Sequence, residues 1–251
     1  MTASRCGLPE DVRACLFDLD GVLTQTAKVH AAAWKELFDA YLSARAERTG
    51  QPFCPFDPVG DYDEYVDGLP RADGTRAFLR SRGIELPEGT PEDSPDCETI
   101  HGLGTRKNDI VLRKIRDNGV EPYAGSVTYV KAVKASGFPC AVVSSSTNCQ
   151  DVLEAAGIAD LFDVRIDGLV AAEQGLAGKP APDTFLAAAR ALALLPQQCA
   201  VFEDALAGVA AGRAGKFCYV VGVDRAGQAA ALHHHGADVV VTDLADLLET
   251  P

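Results

Sequence analysis

The stretch that decides the fold is Ala14-Cys15-Leu16-Phe17-Asp18-Leu19-Asp20-Gly21. Its four leading apolar residues predict a short buried strand that ends directly at Asp18. Asp-Gly is a common turn pair, which accounts for Asp20 and Gly21 but not for an acid at the strand end. A strand-end carboxylate beside a cation can attack phosphorus, and a second carboxylate can exchange protons with the attacking or leaving oxygen. The stretch is therefore a candidate site for phosphoryl transfer.

Helical patterns alternate with short apolar strands through the second half of the chain. The predicted elements are helix 125–136, strand 138–143, helix 148–156, strand 163–166, helix 183–194, strand 199–202, helix 205–214, strand 217–221, helix 226–235 and strand 238–241. Such alternation is typical of a parallel sheet covered by helices on both faces. The sequence therefore predicts an α/β fold with a Rossmann-like parallel sheet as its core.

The block between the first strand and this alternation shows only helical patterns. Apolar residues recur at helical spacing from Val29 to Tyr41, and further helices are predicted at 71–82 and 106–117. Residues 50–63 and 87–99 are rich in Pro, Gly and Asp, which predicts two long loops. We therefore expect an all-helical cap domain at 27–118, inserted into a discontinuous α/β core formed by 1–26 and 119–251.

Polar residues follow the predicted strands, at the edge where parallel sheets bind ligands. Asp18 and Asp20 follow the first strand, the segment 144–148 follows strand 138–143, and Glu203 and Asp204 follow strand 199–202. Carboxylates combined with a phosphate oxygen suit an octahedral Mg²⁺, and hydroxyls before a helix suit an anion. Simpler interpretations remain open, since Ser144 and Asp204 can serve as helix N-caps and a loop lysine such as Lys179 is usually solvated.

Composition limits the partners and the compartment. The formal net charge is −13, so the surface repels nucleic acid and anionic lipid, and any phosphate site needs local cations. No apolar run is long enough to span a membrane, and the N-terminus lacks a secretory pattern. Eight cysteines without a Cys-x-x-Cys pair indicate reduced thiols. We expect a cytoplasmic monomer whose partner is a small phosphorylated sugar substrate, and no nucleic-acid or membrane partner.

Four motifs together resemble the haloacid dehalogenase-like superfamily, in its β-phosphoglucomutase-like branch with a helical cap. They are Phe17–Thr24, Ser144, Lys179–Asp183 and Phe202–Ala205, and their order and spacing match across nearly the whole chain. The resemblance implies that Asp18 is the nucleophile and Asp20 the general acid and base. It implies Mg²⁺ as cofactor, and the ligands it implies are Asp18, the backbone carbonyl of Asp20, and Asp204, with Glu203 in support. Ser144, Ser145 and Lys179 are the implied phosphate-binding residues.

The cap carries a narrower resemblance to β-phosphoglucomutases. His30 and Trp34 form an H-x-x-x-W pattern, Arg71 follows Gly68-Leu69-Pro70 as the arginine that grips a distal phosphate, and Lys107 lies in an R-K-N segment. Thr26 and Asn148 are further candidate substrate contacts. Plain packing of His30 and Trp34, or exposure of Arg71 and Lys107, are the alternatives. The chain departs from the family at Gln25, where an acid is usual, and at Thr147, where lysine is frequent.

The resemblance implies phosphoryl transfer through an aspartyl-phosphate. The leading hypothesis is a mutase that converts β-glucose 1-phosphate to glucose 6-phosphate, for which cap closure would exclude water from the phosphoaspartate. The alternative is a phosphatase that admits water and hydrolyses a small phosphorylated metabolite. A third hypothesis, a binding protein without catalysis, predicts a missing acid at position 18 or 20, and both acids are present.

Overall fold

A computed structural model of the chain describes residues 6–248, and these form two compact units. One unit runs to Gln25 and resumes at Val120, and the other spans Thr26–Gly119. The sequence-based boundaries, 26/27 and 118/119, each differ by one residue from these. Residues 1–5 and 249–251, which the predicted core included, lie outside the described residues.

The unit Thr26–Gly119 contains helices as its only regular elements. These are α1 (Thr26–Thr49), α2 (Gly60–Tyr65), α3 (Arg71–Ser81) and α4 (Ile100–Asn118). The predicted end of the loop 50–63 was wrong, because the helix α2 already begins at Gly60. An ion pair between Asp61 in α2 and Arg82 (2.5 Å) anchors this short helix, and a contact of that kind is invisible to local composition. The predicted loop at 87–99 contains neither helix nor strand.

Aromatic side chains build the core of this helical unit. Phe38 packs on Trp34 with ring centroids 5.0 Å apart and on Phe78 at 4.1 Å, and Phe56 lies 5.0 Å from Phe78. All four rings are buried. Phe56 comes from the segment between α1 and α2, so that segment is part of the core rather than a detached loop. Such rings contribute a large share of buried apolar area, which explains how a helical insertion of this size holds together.

The other unit is a parallel sheet of six strands, which confirms the predicted fold class. The strands are β1 (Ala14–Phe17), β2 (Cys140–Val143), β3 (Val164–Ile166), β4 (Cys199–Glu203), β5 (Tyr219–Val223) and β6 (Val239–Val241). Their order is β3-β2-β1-β4-β5-β6, and every neighbouring pair is parallel. All residues of β1, β2 and β4 are buried, as expected for strands covered on both faces.

Six helices accompany the sheet: α5 (Ala124–Ala135), α6 (Cys149–Ala155), α7 (Gly168–Gln174), α8 (Asp183–Ala191), α9 (Leu206–Ala214) and α10 (Ala229–His235). Sequence patterns did not predict α7. Its signals are a cap at each end: the Asp167 carboxylate accepts bonds from the N–H groups of Leu169 and Val170, and Gly175 ends the helix in the left-handed conformation. No helix within residues 6–248 combines the length and apolarity that a membrane crossing demands.

Candidate active site

The site lies where the chain order of the strands reverses. β1 sits between β2 and β4, and its residue Phe17 pairs with Phe202 of β4. The N–H group of Asp18 continues the ladder by donating to the Phe202 carbonyl (2.9 Å). Asp18 and Glu203 are therefore held at the carboxyl ends of adjacent strands, which is the usual position of ligand sites in such sheets.

Lys179 joins these two acids. Its ammonium donates to Asp18 Oδ1 at 2.5 Å, to Glu203 Oε1, and to the Val143 carbonyl at 3.3 Å. The lysine is only 2% exposed, so it is not a solvated loop residue. Burial lowers the pKa of Lys179, but Asp18 and Glu203 outweigh that effect, so the net shift is upward and the ammonium keeps its charge.

Glu203 is fixed on both carboxylate oxygens. Oε1 accepts from Lys179, and Oε2 accepts from the backbone N–H of Ala205 at 3.1 Å. Gly208 of α9 lies against the same group: a Cβ on Gly208 would come within 1.9 Å of the Glu203 carboxyl carbon. Glu203 is thus a rigid support for Lys179.

Asp204 lies beside Asp18 and Glu203. One carboxylate oxygen from each of the three acids lies within 4.8 Å of the others. Gly21 makes this possible, since its φ is +98° and a Cβ there would come 1.7 Å from Asp204 Oδ2. The N-cap residue of α9 is Ala205, so the alternative interpretation of Asp204 as the N-cap of that helix was wrong.

The donor set fits a hard divalent cation. Three buried carboxylates, of Asp18, Glu203 and Asp204, face the single ammonium of Lys179, which leaves excess negative charge in a poorly solvated place. Burial raises the pKa of the Asp18 carboxyl well above its usual range, although Lys179 acts in the opposite direction. A cation bound to oxygen ligands would keep Asp18 ionised, and Mg²⁺ prefers such ligands.

Asp20 and Ser144 approach the site from β1 and β2. The Ser144 hydroxyl, which is buried, donates to Asp20 Oδ2 at 3.4 Å and accepts from the N–H of Ser146 at 3.0 Å. The N-cap residue of α6 is Asn148, whereas Ser144 lies four positions earlier, so Ser144 does not cap this helix. Ser145 is half-buried between them.

The helical unit brings two of the predicted residues together. Lys107 of α4 is 5% exposed, and its ammonium lies 2.7 Å from Nδ1 of His30 in α1 and 4.7 Å from the centre of the Trp34 ring. Because an ammonium can only donate, an ionised Lys107 requires Nδ1 of His30 to accept this bond. Lys107 is therefore not an exposed helix residue, and Trp34 serves both the core and this contact.

Arg71 and Thr26 occupy the first positions of their helices. Arg71 begins α3 and is half-buried, and within residues 6–248 its guanidinium has no ion-pair partner. Burial lowers the pKa of Arg71, and Asp109 acts in the opposite direction. Thr26 begins α1 and is buried. An arginine that forms no ion pair is available for an anionic ligand.

Two residues near the site were missed by the sequence analysis. The side-chain amide of Gln228 donates to the Asp204 carbonyl at 3.3 Å, and Arg225 Nε donates to the Gly21 carbonyl at 2.8 Å. Both follow β5. The sequence placed this strand at 217–221, whereas it ends at Val223, so its strand-end residues were overlooked.

Three clustered carboxylates and a buried lysine at the carboxyl edge of a parallel sheet suit an enzyme of phosphoryl transfer. The chain belongs to the haloacid dehalogenase-like hydrolase family, whose model matches residues 12–216. A curated relative is the β-phosphoglucomutase of Mycobacterium bovis, which is 59% identical over 96% of this chain and 94% of its own length. The β-phosphoglucomutase of Bacillus subtilis is 32% identical over 94% of this chain and 92% of its own. A solved β-phosphoglucomutase from Clostridium difficile superimposes with a TM-score of 0.71 at 28% identity, covering 94% of this chain and 93% of that one.

Proposed function

We propose that this enzyme is a β-phosphoglucomutase, which converts β-glucose 1-phosphate to glucose 6-phosphate through an aspartyl-phosphate on Asp18. The observation that carries the proposal is the 59% identity to a curated β-phosphoglucomutase along almost the full length of both chains. The geometry of the site supports the same chemistry, because Asp18 lies at the edge of the sheet with a lysine bonded to its carboxylate.

The core residues supply the transfer step. An Asp18 oxygen forms a bond to the phosphorus of a sugar phosphate while the bond from phosphorus to the sugar oxygen breaks. Asp20 protonates the departing oxygen and, in the return step, takes the proton from the sugar hydroxyl that attacks the phosphoaspartate. The Ser144 hydroxyl, which contacts Asp20, and Lys179 bind the phosphoryl oxygens, with Ser145 beside them.

Magnesium completes the proposed site. Asp18, Asp204 and the backbone carbonyl of Asp20 would hold it, and Glu203 would support them by fixing Lys179. A bound Mg²⁺ supplies charge neutralisation for the phosphoryl group and for the carboxylates around it.

Residues of the helical unit are proposed to bind the part of the substrate that does not react. A bisphosphate intermediate carries one phosphate that reacts and one that does not, so the enzyme needs a cation for the group that does not react. We propose Arg71 for that role, because its guanidinium is half-buried and has no ion-pair partner within the described chain. Lys107 and His30 would contact the sugar, and Thr26 and Asn148 are further proposed substrate contacts.

A phosphatase is the second candidate, since the family model that matches the chain describes a hydrolase. Replacing Arg71 distinguishes the mutase activity from the phosphatase activity. Arg71→Ala should reduce conversion of β-glucose 1-phosphate far more than hydrolysis of p-nitrophenyl phosphate, which has no second phosphate. Equal losses in both assays would argue against a distal phosphate clamp.

A coupled assay tests the proposed function directly. The enzyme is supplied with β-glucose 1-phosphate, Mg²⁺ and glucose 1,6-bisphosphate, and glucose 6-phosphate and free phosphate are measured in parallel. We expect glucose 6-phosphate to exceed free phosphate, and Asp18→Asn to abolish turnover and acid-stable phosphate labelling of the chain while melting as the wild type does. Full activity of the folded Asp18→Asn variant would overturn the mechanism. If the wild-type enzyme releases free phosphate and forms no glucose 6-phosphate, the protein is a phosphatase and not a mutase.

We further propose that the enzyme works as a cytoplasmic monomer. The eight cysteines are all free, which fits a reducing compartment. Size-exclusion chromatography should show a particle near the chain mass of 26.4 kDa, and a larger particle would refute the monomer.

A further inference from the structure

Arg225 reaches from the end of β5 to the loop that follows the nucleophile. Its Nε donates to the Gly21 carbonyl at 2.8 Å, and its Nη2 lies 3.5 Å from the Val22 carbonyl. The Ser126 hydroxyl of α5 donates to the same Val22 carbonyl at 2.6 Å and lies 3.4 Å from Nη2. Arg225 and Ser126 thus hold the backbone carbonyls of Gly21 and Val22, the two residues that follow Asp20.

The other side of the guanidinium is fixed as well. Nη1 donates to the Thr242 carbonyl at 2.7 Å, and the guanidinium carbon stacks 3.6 Å from the centre of the Tyr123 ring. Asp243 lies 3.9 Å away, and the Arg225 side chain is 18% exposed. An arginine with donors engaged in several directions has little freedom, so it acts as a rigid brace.

The braced loop is closed on itself. The Leu19 carbonyl accepts from the N–H groups of Leu23 (2.9 Å) and Thr24 (3.0 Å), and the N–H of Gly21 donates to the Thr24 carbonyl at 2.8 Å. These bonds set the shape of residues 19–24 but not its position on the sheet. Its position is set by the Arg225 bond to Gly21, by the Ser126 bond to Val22 and by the bond from the Tyr123 N–H to the Leu23 carbonyl at 2.9 Å.

Gly21 links the brace to the carboxylate cluster. Its α-carbon packs so closely on Asp204 that a Cβ would come 1.7 Å from Oδ2. A shift of the Gly21 peptide therefore moves the backbone of Asp20 on one side and releases the Asp204 carboxylate on the other. Both groups are among the proposed magnesium ligands.

We propose that Arg225 is a positioning residue for the phosphoryl-transfer site, which holds the loop 20–22 against Asp204 and so sets the affinity for Mg²⁺. The inference rests on the proposed function of this site. It predicts that loss of Arg225 weakens metal binding and the chemical step, while the KM for p-nitrophenyl phosphate at saturating magnesium changes little. Removing a residue that orients metal ligands typically costs about 10- to 100-fold in metal affinity or activity.

The test compares Arg225→Ala and Arg225→Lys with Arg213→Ala. Arg213 is an exposed arginine of the same unit, and its contact with Asp238 is long at 3.8 Å. The melting temperature of each protein is followed through a magnesium titration, because a ligand of the folded state stabilises it in proportion to RT ln(1 + [L]/Kd). Values of kcat and KM, and the magnesium concentration that gives half-maximal rate, are measured in parallel with p-nitrophenyl phosphate.

We expect Arg225→Ala to require at least about 10-fold more magnesium in both measurements. At saturating magnesium we expect kcat to be reduced and KM to stay within a few fold of wild type. Arg225→Lys should shift in the same direction by less, and Arg213→Ala should match the wild type. Arg225→Ala with a lower melting temperature but an unchanged magnesium midpoint would overturn the proposal, since the arginine would then serve the fold alone. If Arg225→Ala does not fold, Arg225→Lys is judged by the same criteria. The magnesium titration needs no sugar, so a wild type that fails to convert β-glucose 1-phosphate refutes the proposed function without deciding this inference.

Discussion

Replacement of Lys179 by methionine tests how the buried charges are balanced. Methionine retains most of the volume of the lysine stem but has no charge. The substitution leaves Asp18 and Glu203, which are 6% and 0% exposed, without the ammonium that contacts both. Breaking a buried ion pair by removing one partner costs about 3–5 kcal/mol, because the remaining charge is uncompensated. This is a large part of the roughly 5–15 kcal/mol by which domains are stable.

The pH dependence gives this prediction its sign. Burial raises the pKa of Asp18 above its value in the unfolded chain, while Lys179 lowers it, so the variant raises the pKa of Asp18 further. A carboxyl whose pKa is raised on folding lowers the free energy of unfolding, and this effect is complete at pH values above the folded-state pKa. The effect disappears at pH values below the pKa of the unfolded chain, which is about 3.9. The loss of stability should therefore be largest near pH 8 and shrink as the pH falls toward 5.

Urea unfolding in EDTA at both pH values measures the effect. With a slope of about 1–3 kcal/mol per molar urea, a loss of this size lowers the midpoint by about 2 M at pH 8. Lys131→Met is the matched control, since Lys131 is exposed on α5, and its effect should stay within about 0.5 kcal/mol. A loss below about 1 kcal/mol at pH 8, or the same loss at both pH values, would refute the account of Lys179 as the counter-charge of a buried carboxylate pair.

Three further predictions concern the same site. Asp20→Asn should lower kcat by about 10² to 10⁴ while the melting temperature is retained, and a folded variant with wild-type kcat would exclude Asp20 as acid and base. Gly208→Ala should destabilise the protein by about 1–3 kcal/mol in urea unfolding, because its Cβ would meet the Glu203 carboxyl at 1.9 Å; a gain from helix propensity would show that Glu203 can move. Inorganic phosphate should inhibit p-nitrophenyl phosphate hydrolysis more tightly as magnesium rises, and an inhibition constant independent of magnesium would show that the two ligands are not coupled.

The acids of the site could be predicted from the sequence because two rules coincide there. A short apolar run marks a buried parallel strand, and ligands bind beyond the ends of such strands, so position alone singled out Asp18, Glu203 and Asp204. The structure confirms the α/β class and brings these acids within 4.8 Å of one another. The chemical roles of these acids stay predictions, because the structure shows that the acids lie close together and not what each one does.

The residues that hold the acids in place could not be found in the same way. Glu203 was expected to support a metal, yet both of its oxygens are engaged by Lys179 and Ala205, a pairing across 24 residues that no local pattern encodes. Arg225 was missed because its strand was placed two residues too early, which hid the strand-end position. The helix α7 was missed because none of its residues is buried, so it has no buried apolar stripe, although its caps at Asp167 and Gly175 were readable.

The negative charges of the chain determine what a phosphate would need in order to bind at the site. The chain has a net charge of −13, which repels phosphate esters, and the edge of the sheet concentrates three of its carboxylates, all buried, beside one lysine. A phosphate dianion placed there with Lys179 alone would face a clear excess of negative charge, and burial makes that excess more costly than it is in water. A divalent cation removes the excess only if Asp18 and Asp204 stay close together, which is what Gly21 permits by lacking a side chain. In the proposed mechanism, the glycine after the second acid is therefore needed as much as the acids, because it lets Asp204 approach Asp18 closely enough to form the proposed cation site.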